Sequence, residues 1–136
     1  MGVRIDLRYD GALQCQAVHE PSGDTLSTDA PKDNHGQGLH FSPTDLLATS
    51  LGACMLTTMG IAARAHALDI TGSTAEVEKH MGATPRRHVA RLSVKISVPA
   101  TVPDAQREVL QTAAATCPVA SSLAPATVID LLFAYV

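Results

Sequence analysis

From Leu46 to Ala63 the chain runs 18 residues without a charge. A run of that length sits at the threshold for a membrane span, so its placement decides what kind of molecule this is. Thr49, Ser50, Thr57 and Thr58 are polar, Gly52 and Gly60 interrupt the run, and neither a cationic flank nor a second span accompanies it. A helix buried by other protein fits better than one in lipid. Its start is written in "FSPTDLL". Ser42 is the N-cap, Pro43 takes the first helical position, and Asp45 closes a short-armed capping box. Phe41 precedes the cap, placed to staple onto Leu46 or Leu47. Apolar residues then continue all round to Ala65, which predicts a helix enclosed on every side.

The flanking sequence supplies the enclosure. Residues 3 to 9 alternate Val3, Ile5, Leu7, Tyr9 against Arg4, Asp6, Arg8, the period of a half-buried strand. "DG" at 10 and 11 predicts a hairpin turn, "ALQCQAVHE" a second strand, and "PSGD" a turn into a third near "TLSTD". Residues 30 to 40 lack periodicity and read as a loop. After the helix come the strands "STAEVEKHM" and "HVARLSVKISV", a helix from about Pro103 to Thr116, a short helix opened by "CPVASSL", and a closing strand "TVIDLLFAYV". The order βββ-α-ββ-αα-β predicts an α+β fold of antiparallel meanders around one buried helix. With 136 residues, 46% of them hydrophobic and 17% charged, the chain fills one core, so residues 1–136 are expected to form a single domain. So little polar cover also points to an oligomer.

Net charge is −3, and the basic residues are scattered except for the pair Arg86 and Arg87, which argues against nucleic acid as a partner. The N-terminus "MGVRIDLRYD" has no apolar run behind its charges, so no secretory signal is expected, and the cytoplasm is the expected compartment. Cysteines at 15, 54 and 117 are too few and too dispersed for a disulfide framework. Cys117 precedes Pro118 at the start of a helix, where the dipole and unpaired amides favour thiolate and are expected to lower its pKa below about 8.5. Cys54 lies more than two turns inside its helix, so its activation needs a nearby cation or hydrogen-bond donor. Cys15 is mid-strand with no special neighbour. A thiol in a central helix and a second at a helix start are the two parts that peroxide reduction requires: one is oxidised to sulfenic acid, the other condenses with it to a disulfide.

"FSPTDLLATSLGACMLTTMG" followed at a distance by "TCPVASSL", with "SGDTLSTDAP" ahead of both, resembles the OsmC/Ohr family of osmotically inducible and organic hydroperoxide resistance proteins along the whole chain. The resemblance implies an intertwined homodimer, its sheets wrapped around long central helices, with thiol peroxidase sites at the subunit interface. It implies Cys54 as the peroxide-attacking thiol, Cys117 as the resolving thiol, an organic hydroperoxide as substrate, a dithiol reductant of lipoyl or thioredoxin type, and no cofactor. The helix-dipole argument makes Cys117 the more acidic of the two. The resemblance is preferred for the roles, because a cation brought by the fold outweighs a dipole worth about 0.3–1 kcal/mol.

Two family residues are replaced. The glutamate of the hydroperoxide branch, ten residues before the attacking cysteine, is Thr44 here, with Asp45 beside it, and the arginine of an N-terminal turn gives way to "VHEPSGD", with His19 and Glu20. Candidate supporting residues are therefore Asp45, Thr44, His19, Glu20, Arg86 and Arg87, and candidate apolar pocket walls are Leu47, Leu51, Met55 and Met59. His35 and His40 lack a third ligand at metal-site spacing, so no metal is expected. His66, His80 and His88 read as surface or turn residues, and no G-x-S-x-G elbow supports a hydrolase. The alternative to a peroxidase is a non-catalytic dimer of the same fold that binds a small ligand or senses oxidants.

Overall fold

Alternation in the first thirty residues becomes a three-stranded sheet. A computed structural model describes residues 2–136, and the chain divides into two compact units, Met1–Leu46 and Leu47–Val136. In the first, β1 (Ile5–Gly11), β2 (Gln14–His19) and β3 (Thr25–Asp29) pair antiparallel in that order, with Leu7 opposite Ala17 and Ala17 opposite Leu26. Side chains two apart share a face, so Ile5, Leu7, Tyr9, Cys15, Ala17 and Leu26 fall on one side of the sheet. Its β1 part is open, with Leu7 69% exposed and Tyr9 63%, whereas Ala17 is buried. The β1–β2 turn falls slightly later than "DG" predicts, with positive φ at Gly11, Ala12 and Leu13.

The aperiodic stretch 30–40 is tied at both ends. The Leu39 amide donates to Oδ2 of the fully buried Asp29 (3.0 Å), and the Asp29 amide donates to the Phe41 carbonyl (3.2 Å). A Cβ at Gly36 would overlap the Ala30 carbonyl, so only glycine fits there. The chain then reaches α1 (Pro43–Ala65) through the predicted capping box: Ser42 N–H donates to Asp45 Oδ2 (2.9 Å) and Asp45 N–H to Ser42 Oγ (3.1 Å).

The second unit is built on α1. Ala48, Leu51, Met55, Met59 and Ala63 form its buried stripe, spaced three and four apart. Its other face carries Ala53, Thr57 and Ile61 into the open, with Ile61 65% exposed, so a single chain encloses the helix on one side and not all round as its composition predicts. The stripe shares one core with Leu92, Val94, Ile96 and Val98 of β5 (His88–Val98), against which Ala75 and Val77 of β4 (Thr74–Gly82) and Leu131 and Phe133 of β6 (Val128–Tyr135) are packed.

β4 and β5 pair antiparallel, but β6 runs parallel to β5, which corrects the expectation of antiparallel strands throughout. A parallel neighbour needs a crossover connection, and α2 (Asp104–Ala115) with α3 (Pro118–Ser122) supplies it. Leu110 and Ala114 bury one side of α2. The Arg107 guanidinium sits 4.0 Å above the Tyr135 ring, and Gln111 Nε2 donates to the Tyr135 hydroxyl (2.9 Å), joining the crossover to the end of β6.

Close approach of helix and sheet is set at Gly52, where a Cβ would stand 2.8 Å from Val77 Cγ2. Alanine is the better helix former by about 1 kcal/mol, yet the overlap reverses the sign. Gly52→Ala is expected to lower the unfolding free energy by about 1–3 kcal/mol in urea titrations. Adding Val77→Ala relieves the contact, so the double variant should lose less than the two single losses combined.

Candidate active site

Cys54 and Cys117, 63 residues apart in sequence, meet at the margin of the second unit's core. α1 presents Cys54 one step off the Leu51–Met55–Met59 stripe, and the side chain is half-buried. Cys117 sits where the crossover breaks between α2 and α3, and it is wholly buried. Its backbone is extended (φ −62°, ψ 152°), and its Sγ accepts from the Ala120 amide (3.4 Å), which makes it the N-cap of α3. Pro118 follows at the first helical position, as the sequence predicts. Both cysteines are free thiols, and Cys54 lies near enough to Cys117 to raise its pKa.

The electrostatics of Cys117 run opposite to the dipole argument. Burial is the largest influence and pushes the Cys117 thiol above its ordinary pKa. The Ala120 amide opposes this, the hydrogen bond with Cys54 and the negative charge Cys54 carries when ionised reinforce it, and the Val119 amide opposes it weakly. A five-residue helix offers little field, whereas removing a sulfur from water disfavours its anion outright. Cys117 is thus held as a thiol, and the expectation that its place at a helix start lowers its pKa is corrected.

The remaining candidates are placed as follows. Asp45 is engaged in the capping box, and Thr44 Oγ1 lies 3.2 Å from Ser42 Oγ. His19 and Glu20 are exposed at the end of β2 in the first unit, where His19 Nδ1 is 2.6 Å from Ser22 Oγ. Arg86 and Arg87 are exposed in the β4–β5 connection, where His88 Nδ1 donates to the Arg86 carbonyl (2.8 Å). No basic side chain is among the groups that shift Cys117. Leu51, Met55 and Met59 are 0% exposed, so they are core and not pocket walls, and Leu47 packs beside them. The helical spacing that made them look like a lining turns them into the core instead. A cleft of about 410 Å³ does open at the C-terminal end of α1, between Leu56, Gly60, Arg64, Leu68, Asp69 and Ile70, and none of the four residues expected as walls lines it.

Sequence reasoning passed over Thr58. Its hydroxyl lies 3.0 Å from the Cys54 carbonyl, 3.1 Å from the Met55 carbonyl and 3.1 Å from the Ala113 carbonyl of α2. A lone threonine in an apolar helix carries no signal of such a contact, because its partner is 55 residues away.

The OsmC-like protein family model matches residues 36–132. Among solved structures, a protein from Psychrobacter arcticus 273-4 ascribed to the osmotic stress induced and detoxification response is 43% identical, with 95% of this chain and 93% of that one covered and a TM-score of 0.89. An OsmC-like protein from Mycoplasma pneumoniae (16% identity, 100% and 98% covered, TM-score 0.84) and an organic hydroperoxide resistance protein OsmC from Legionella pneumophila (14%, 98% and 97%, TM-score 0.79) share the fold. No curated protein sequence matches. Family match and shared fold agree with the resemblance carried by the two cysteine motifs, and the chain belongs to the OsmC-like protein family.

Proposed function

We propose that the protein is a thiol-dependent peroxidase that reduces organic hydroperoxides. The observation that carries this reading is the proximity of two free thiols of unequal exposure, one half-buried on α1 and one enclosed and held protonated. Cys54, as thiolate, attacks the distal oxygen of the hydroperoxide. The O–O bond breaks, the alkoxide takes up a proton and leaves as an alcohol, and Cys54 becomes a sulfenic acid. The Cys117 sulfur then attacks the Cys54 sulfur, and an S–S bond forms. Water departs, made of the sulfenic hydroxyl and the Cys117 proton. An external dithiol of lipoyl or thioredoxin type returns both sulfurs to thiols and is itself oxidised to a disulfide. A protonated Cys117 does not compete for peroxide, which suits the resolving role.

In this reading the protein works as a homodimer in the cytoplasm. The open apolar side of the N-terminal sheet, with Leu7 and Tyr9, and the exposed Ile61 of α1 are surface that a second copy would cover. Three free thiols suit a reducing compartment. Engagement of Asp45 in the capping box favours a second reading, a ligand-binding or oxidant-sensing dimer in which the pair crosslinks once without turnover.

With excess dithiol and cumene hydroperoxide, the wild-type protein is expected to turn over many times and Cys54→Ser to fall to the uncatalysed rate. Cys117→Ser should instead accumulate a dimedone-reactive sulfenic acid. A single stoichiometric oxidation favours the sensor, and turnover untouched by Cys54→Ser removes the peroxidase.

The raised pKa of Cys117 also sets a pH dependence. Between the ordinary thiol pKa, about 8.5, and the higher value in the fold, the unfolded chain has lost a proton that the folded chain keeps. Stability from this group is complete below about pH 8.5 and falls as pH rises beyond it. Urea titrations from about pH 7 to pH 10 should show that fall in the wild-type protein and a shallower one in Cys117→Ser. Alkylation of Cys117 in the native reduced protein should stay slow until the same range is passed.

A further inference from the structure

The crossover breaks at the residue that carries the second thiol, and the break leaves a carbonyl without its helical partner. In a continuing helix the Cys117 amide would bond the Ala113 carbonyl. It turns instead to Ala114 O (3.3 Å), while Thr112 O takes the Thr116 amide (3.1 Å). Ala113 O is one of the acceptors that every helix C-terminus must satisfy from outside. Thr58 of α1 lies 3.1 Å from it.

Thr58 is one turn after Cys54, and Ala113 is one turn before Cys117. The Thr58 hydroxyl has a single proton and three carbonyls in reach, two of its own helix and one of α2. Of these three, the bond to Ala113 alone leaves α1, and it joins the helix that carries Cys54 to the last turn of α2, just ahead of Cys117.

We propose that Thr58 is a positioning residue for the thiol pair: its hydroxyl, bonded to the Ala113 carbonyl, sets the gap between Cys54 and Cys117 across which the disulfide closes. The proposal rests on the peroxidase reading for its use, since closing that gap quickly is what spares a sulfenic acid from further oxidation. It does not rest on that reading for its geometry. Thr58→Val keeps the shape and removes the hydroxyl, so α2 loses one anchoring hydrogen bond next to the break and the sulfurs spend less time at bonding distance. Thr58→Ser keeps the hydroxyl.

The test uses thiol–disulfide equilibrium and no hydroperoxide. The full-length wild-type, Thr58→Val and Thr58→Ser proteins are equilibrated in glutathione buffers of graded composition, and the Cys54–Cys117 crosslink is quantified by mass spectrometry. Thr58→Val should need a buffer about three- to tenfold more oxidising to reach half crosslinking, the effect of one hydrogen bond, and Thr58→Ser should return to the wild-type midpoint. A Thr58→Val midpoint equal to wild type overturns the proposal, even if the reduced variant unfolds at lower urea, because that outcome is stability without positioning. A Thr58→Ser midpoint shifted as far as that of Thr58→Val also overturns it, by assigning the effect to the methyl group. A shifted Thr58→Val midpoint with a restored Thr58→Ser midpoint, in a protein that turns over no hydroperoxide, would remove the peroxidase and leave the clamp standing.

Discussion

Burial of one stripe of α1 is the interaction on which the rest depends. Leu51, Met55 and Met59 are fully enclosed with the inward residues of β5, and each contributes about 1.5–3 kcal/mol relative to an exposed side chain. That burial fixes the rotation of the helix about its own axis. Once the stripe faces the sheet, Cys54 can only lie at its margin, half in the core and half out. The same core takes in Cys117 completely. Two sulfurs far apart in sequence are therefore brought together by oil-and-water forces that have nothing to do with sulfur, and the difference in their exposure follows from the same packing.

Unequal exposure then becomes unequal chemistry. A thiol enclosed among apolar groups keeps its proton, because the ion it would form has lost its water and gains only two weak amide contacts in return. Its neighbour on α1 meets the solvent. An arrangement of this kind tells the two thiols apart by exposure alone, without the acid and arginine that the resemblance leads one to expect. Thr44 and Asp45 stand where that acid is expected, and both belong to the start of α1 through Ser42.

How much of this was legible in the sequence depends on the range of the physics. "FSPTDLL" predicts the start of α1 to the residue, because capping is chemistry among neighbours. Alternation predicts the strands for the same reason. The direction of β6 was not legible, since the period of a strand is identical in parallel and antiparallel pairing, and only the crossover through α2 and α3 decides it. Met55 and Met59 could be read as apolar and helical, but whether such a face meets a ligand or a sheet is settled by tertiary packing. The Cys117 reading failed on magnitude: a local dipole was weighed where desolvation, invisible in sequence, is larger. Thr58 had no local signal at all, its partner carbonyl being freed only by the way α2 ends.

The placement of the two sulfurs on α1 and within the α2–α3 connection has a mechanical side. A bond between them would close a loop of 63 residues that contains β4, β5 and α2. On a chain-entropy account, such a tether raises resistance to unfolding by about 4 kcal/mol, by restricting the random coil and not by adding contacts to the folded form. An oxidised molecule would then be tougher than a reduced one, and the gain would show as slower cleavage by proteases and a higher melting temperature.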